Sequence, residues 1–184
     1  MNYKKIVIST LLPLSVTACS GLSNPFQSWQ TIDRFQVQEG VAVDTRSGLM
    51  WTRCLLGATW NGNACAGTAT LYTWQQTQSL PKTLNYAGYN DWRVPTLEEL
   101  KTLADRENAA STVALPQLNQ LVFPTPNCYG TEGGLSSEGR ACWQWSSTPI
   151  EGSDHHVWIV YFGYGYGNAN YDADAVALRL VRRN

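Results

Sequence analysis

Apolar and polar positions along this chain repeat mostly with the two-residue period of a strand, and in one place with the period of a helix. Val41-Ala42-Val43 and Leu49-Met50-Trp51 flank the polar stretch Asp44 to Gly48. Gly48 supplies freedom for positive φ, so residues 41 to 51 predict a β-hairpin. Trp143 to Thr148 alternates bulky with polar residues, and His156 to Phe162 and Ala175 to Val181 read as strands, separated by a tract of Gly, Tyr and Asn from Gly163 to Tyr171. Leu97, Leu100, Leu103 and Ala104 fall on one face of a helix running from Leu97 to about Asp105. Thr73 with Gln76 has capping-box spacing and starts a second, shorter helix that runs toward Leu80 and stops before Pro81. The whole predicts an α+β fold: one compact domain with an antiparallel sheet, two short helices and long loops.

The stretch Gly88 to Leu100 is the most informative locally. Pro95 pushes Val94 toward extended geometry, and Thr96 with Glu99 again has capping-box spacing, so the longer helix begins at Leu97. In the extended segment before it, Trp92 and Val94 point one way and Asp91 and Arg93 the other. Trp92 is therefore expected as a core anchor beneath a charged pair.

The N-terminus is of another kind. Lys4 and Lys5 precede an apolar run from Ile6 to Val16, too short to span a bilayer and laid out as a secretory signal. The run ends in Val16-Thr17-Ala18-Cys19, which resembles the bacterial lipobox, so Cys19 is the expected lipid attachment site and membrane lipid the expected anchor. Ser20 follows in place of aspartate, which implies an outer-membrane lipoprotein. The chain divides into a signal peptide (1–18), a lipid anchor and tether rich in Ser, Gly, Asn and Pro (19–40), and a folded domain (41–184).

Charge narrows the partners. The formal charge of −1 becomes −3 once residues 1–18, with two lysines and no acid, are removed. Nucleic acid and other polyanions are not expected to bind. Charged residues make up only 15% of the chain, so stability is expected from aromatic burial more than from surface ion pairs. Of the eight tryptophans, Trp51, Trp74, Trp92, Trp145 and Trp158 sit at element starts or within strands and read as core; Trp60 and Trp143, beside loop cysteines, read as exposed.

With Cys19 assigned to lipid, Cys54, Cys65, Cys128 and Cys142 remain, an even number for an oxidising compartment. Three pairings exist, and proximity favours Cys54 with Cys65 and Cys128 with Cys142. A four-cysteine metal site would need C-x-x-C spacing, which is absent. Asp154-His155-His156 carries suitable metal or acid–base groups, but adjacent strand residues face opposite sides. Asp172 and Asp174 share a side if extended and are weak candidates for a hard cation, although EF-hand spacing is missing. No nucleophile elbow, P-loop, dinucleotide fingerprint or zinc-protease motif occurs, and neither cofactor nor catalysis is expected.

Asp44 to Trp51, Thr73 to Gln76, Gly88 to Thr96 with Glu98-Glu99-Leu100, Phe123-Pro124, Trp145 to Thr148, Trp158 to Phe162 and Leu178 to Arg182 together resemble, in order, the bacterial Lcl C-terminal domain family, long catalogued as a domain of unknown function. The resemblance implies a compact extracytoplasmic domain, related at fold level to C-type lectins and formylglycine-generating enzymes. For the adhesin that names the family it also implies adhesion and glycosaminoglycan binding. This chain has no collagen-like repeat, and its acidic balance disfavours a sulfated ligand.

The expected function is non-catalytic recognition of a glycan or an envelope protein. The candidate ligand residues are Trp60, Tyr129, Trp143, Tyr164, Tyr166 and Asn170, drawn from the cysteine-flanked loops and the Gly163-to-Tyr171 tract. Two alternatives are an accessory subunit of an envelope complex and an oxidase like the formylglycine-generating enzymes. The latter needs a reactive cysteine pair.

Overall fold

Residues 28–104, 118–125, 142–163 and 165–184 are described in a computed structural model of the chain. Two five-stranded sheets dominate. The first has the order β1 (Gln30–Ile32), β2 (Phe35–Gln38), β3 (Val41–Asp44), β4 (Leu49–Thr52), β12 (Val181–Arg183), antiparallel throughout. The second runs β10 (Tyr166–Tyr171), β9 (His156–Tyr161), β8 (Trp143–Pro149), β11 (Val176–Ala177), β7 (Leu71–Tyr72). Its pairs are antiparallel except β11 with β8. A small hairpin, β5 (Thr59–Trp60) with β6 (Cys65–Ala66), is closed by the Cys54–Cys65 disulfide.

The hairpin read from residues 41 to 51 forms as β3 and β4, with Gly48 at φ +67°. Its apolar residues are consecutive because both faces of β3 are covered: Ala42 packs in one apolar cluster, Val41 and Val43 in the other. The helix α3 (Leu97–Leu103) buries Leu97, Leu100 and Leu103. It starts where its box predicts, with Glu99 N–H donating to Thr96 Oγ1 at 3.2 Å and Thr96 N–H to Glu99 Oε2 at 2.8 Å. It stops short of Asp105, because Ala104 turns extended (ψ 126°) and bridges Leu118.

Element boundaries depart from the sequence reading in several places. The first sheet begins at Gln30, not near Val41, since β1 and β2 continue it outward; Phe35 and Val37 bury their side chains there and hold the segment against the core. The shorter helix is two single turns, α1 (Trp74–Thr77) and α2 (Leu80–Thr83), with Pro81 inside the first turn of α2. Proline is tolerated there because that N–H has no helical partner anyway. The tract from Gly163 to Tyr171 is not a loop, since most of it is β10, paired with β9 over six residues.

Trp51, Trp92 and Trp145 are buried as expected, and Trp74 and Trp158 are half-buried against the core. Trp92 donates Nε1–H to the Tyr86 carbonyl at 3.0 Å. The charged residues beside it do not pair with one another: Asp91 meets Arg182 at 2.7 Å, and Arg93 binds Glu99 at 2.7 Å. Neither Trp60 nor Trp143 is exposed, since both are half-buried with their indole N–H groups shielded from water.

Between β11 and β12 the chain crosses from the second sheet to the first through Leu178-Arg179-Leu180. Leu178 and Leu180 accept the N–H groups of Leu56 and Thr52, at 2.9 and 3.0 Å. Arg179 between them is fully buried.

Candidate functional site

Cross-strand register assembles an aromatic row. Trp143 lies opposite Tyr161, and Tyr161 opposite Tyr166, so three adjacent strands carry three aromatic rings side by side. Their centroids are 5.7 and 6.1 Å apart, in edge-to-face arrangement. Exposure opens outward: Trp143 is half-buried, Tyr161 is 9% exposed and Tyr166, on the outermost strand, 50%. Tyr161 lies over Gly163, where a Cβ would stand 2.6 Å from the tyrosine ring, so the turn admits no side chain there. Asn168 follows on the same face and is exposed. The Trp143 indole N–H is buried and, among the described residues, has no hydrogen-bond partner.

Of the candidate ligand residues, Trp143 and Tyr166 belong to this row. Asn170 shares their face but is 7% exposed, and its Nδ2 donates to the Tyr171 carbonyl at 3.3 Å, so it is not presented to a ligand. Trp60 lies elsewhere, in the β5–β6 hairpin. There the Arg53 guanidinium stacks on its ring at 3.7 Å and donates to the carbonyls of Val122, Glu39 and Leu121. A cleft of about 220 Å³ beside Trp60 is lined by Gln30, Gln38, Glu39 and Asn63. Burial pushes the Arg53 pKa down, opposed by nearby Tyr86 and Glu39. Tyr129 and Tyr164 lie outside the described residues, as do Cys19 and Cys128.

Cys54 and Cys65 are bridged, as proximity favoured. Cys142 is disulfide-bonded as well, while its expected pairing with Cys128 lies outside the described residues.

The polar constellations are dispersed. His155 Nδ1 stands 3.6 Å from Asp172 Oδ2, whereas His156 Nδ1 meets Ser153 Oγ at 3.0 Å, so the two imidazoles have different partners. Both rings nevertheless touch Tyr171, at 5.8 and 5.7 Å, because His155 sits in the bend before β9, where strand alternation has not begun. Asp174 donates its N–H to the Tyr171 carbonyl in a turn. Among the described residues no three His, Cys, Asp or Glu side chains gather as a metal site. A cleft of about 750 Å³ between α3 and the first sheet is lined by charges that cancel: Arg34 pairs with Asp44 and Lys101 with Glu98, with Asp33 and Arg46 alongside.

Two residues central to the site escaped the sequence reading. Tyr161 lay inside the strand His156 to Phe162 with no role assigned, and Asn168 sat in the tract that separated two strands. The register of β8, β9 and β10 alone aligns them, and nothing in a local pattern reports it.

The family model of the Lcl C-terminal domain matches residues 40–182. No curated protein matches the chain.

Proposed function

Because the chain belongs to the Lcl C-terminal domain family, we propose that it is a recognition domain whose aromatic row on β8, β9 and β10 stacks on the apolar face of a neutral glycan at the bacterial envelope. The observation that carries this reading is the row itself: three rings in register that end in a half-exposed tyrosine, with exposed Asn168 beside it. Aromatic faces supply a rigid apolar platform, and a tyrosine hydroxyl or a carboxamide supplies the few polar contacts that fix orientation. The net charge of −3 after signal removal favours a neutral ligand over a sulfated one. Lipidation at Cys19 would tether the domain to the outer membrane. No described helix is long and apolar enough to cross a membrane.

A recognition role also suits the cysteines. Cys54, Cys65 and Cys142 are all disulfide-bonded, so none of them offers the free thiolate that an oxidase would use. The test is a glycan array probed with the purified chain and with Tyr166→Ala, a change at an exposed position that leaves the core intact. Binding to a defined neutral glycan, weakened by more than about tenfold in the variant, is the expected result. Binding that Tyr166→Ala leaves untouched refutes the site, and an array with no neutral ligand refutes the reading.

A further inference from the structure

Among the described residues β10 is the outermost strand of its sheet. Such a strand turns alternate backbone N–H and C=O groups away from its neighbour, and these form a template for another strand. Which groups face outward can be read here. Asp172 donates its N–H to the His155 carbonyl at 2.9 Å, so the even-numbered residues turn toward β9, and Asn168 and Asn170 with them. Ala169 does the reverse: its N–H is taken by the side chain of Asn168, at 2.9 Å. Gly167, Ala169 and Tyr171 therefore face the open edge.

The sequence of β10, Tyr-Gly-Asn-Ala-Asn-Tyr, has no charge and no proline, the devices that commonly keep a free edge from pairing. It has another device in their place. The Asn168 carboxamide oxygen occupies the outward N–H of Ala169, while the Asn170 carboxamide nitrogen reaches the outward carbonyl of Tyr171, which the Asp174 N–H also holds at 3.0 Å. Side chains of this type compete with ladder bonds in general. Here they consume one donor and one acceptor that an incoming strand would need.

We infer that Asn168 and Asn170 guard the outer edge of β10 against strand addition, so that no second copy of the chain pairs there. The inference rests on backbone geometry and stands whether or not the row binds a glycan.

The experiment compares the purified full chain with Asn168→Val and with Asn168→Val/Asn170→Val by sedimentation velocity over a wide concentration range. Valine is chosen because it favours strands and cannot accept the Ala169 N–H. The expected result is a wild-type monomer and a double variant that self-associates at least about tenfold more tightly, the factor given by one or two extra backbone hydrogen bonds. Adding Ala169→Lys to the double variant should restore the monomer by placing a charge on the edge, which association through unfolded protein would not obey. The single variant keeps the test open should the double variant misfold: hydrogen exchange at the Ala169 amide should speed up while its β10 neighbours stay unchanged. A folded double variant that remains monomeric, an Ala169 amide indifferent to Asn168, or a wild-type chain already paired through β10 would each overturn the inference.

Discussion

Replacing Arg179 with methionine tests how the two sheets are joined. Arg179 has no exposed surface and, among the described residues, no carboxylate partner. Its guanidinium donates to the carbonyls of Thr52 and Arg53, both at 2.6 Å, to Gln144 Oε1 at 3.2 Å and to Thr125 Oγ1 at 3.4 Å. The ring of Phe123 lies 4.8 Å away. Burial pushes its pKa down to about 9, against the opposing influence of Tyr86, so it remains a cation at neutral pH. Two effects compete in the substitution. Methionine fills a similar volume and removes the desolvation of a buried charge, which amounts to several kcal/mol. It also strands two backbone carbonyls and the Gln144 oxygen, and hydrogen bonds to a charged donor are worth about 1.5–3 kcal/mol each.

The bonds to the two carbonyls and Gln144 Oε1 together contribute about 4.5–9 kcal/mol on that scale, more than the several kcal/mol regained by removing the charge, and their acceptors stay buried after the change. The stranding should therefore win, leaving Arg179→Met less stable by about 2–4 kcal/mol, a drop of about 5–15 °C in Tm for a domain of this size. Lysine should fare little better, because an ammonium cannot span four acceptors with one planar fork. The assay is thermal and urea unfolding by near-ultraviolet circular dichroism under non-reducing conditions. If Arg179→Met equals or exceeds the wild type, charge burial outweighs the network, and Arg179 is not what joins the crossover to the first sheet.

Two further outcomes follow from named contacts. Hydrogen bonding to Arg93, reinforced by Thr96, holds the Glu99 carboxyl below its ordinary value of 4.5. A depressed folded-state pKa stabilises above the unfolded value and is lost as pH falls through the folded one, so the contribution should fade below pH 4.5. Unfolding curves of wild type and Glu99→Gln should thus converge toward low pH, and parallel curves would refute the link. Cys54 and Cys65 lie 11 positions apart, so Cys54→Ser/Cys65→Ser should cost about 3 kcal/mol, read from urea midpoints; an unchanged midpoint would mean that the bridge contributes nothing to stability.

Much of the scaffold was legible because the deciding interactions are local. The box at Thr96 and Glu99, the turn at Gly48 and the buried face of α3 depend on residues within a few positions of each other. Tertiary context decided the rest. Gly167, Asn168 and Asn170 are poor strand formers, so the tract reads as loop, yet β10 forms because six consecutive residues pair with β9. β1 and β2 were hidden by their polar neighbours, Gln30, Thr31, Gln36 and Gln38, while Phe35 and Val37, with half-buried Ile32, carry them into the core. Arg179 lay within Ala175 to Val181, read as one strand, whereas the chain leaves β11 at Ala177 and enters β12 at Val181. Its position between two buried leucines in an apolar run was the available signal, since a cation there must find acceptors inside.

The covering of the sheets explains why the candidate site is where it is. β3 and β9 bury side chains on both faces, one face toward α3 and Phe123, the other in the cluster that holds Trp145 and Ile159. Over most of their length such strands leave little surface for a ligand. Cover thins toward β10: Trp145 has no exposed surface, Trp143 two residues before it is half-buried, and Tyr166 on β10 stands half in water. A single exposed ring is ordinary on a protein surface; what sets Tyr166 apart is its register with Tyr161 and Trp143. The same outer strand turns its two asparagines onto its own backbone, occupying the outward N–H of Ala169 and the outward carbonyl of Tyr171, so the Tyr166 ring and not a strand ladder is what that side offers a ligand.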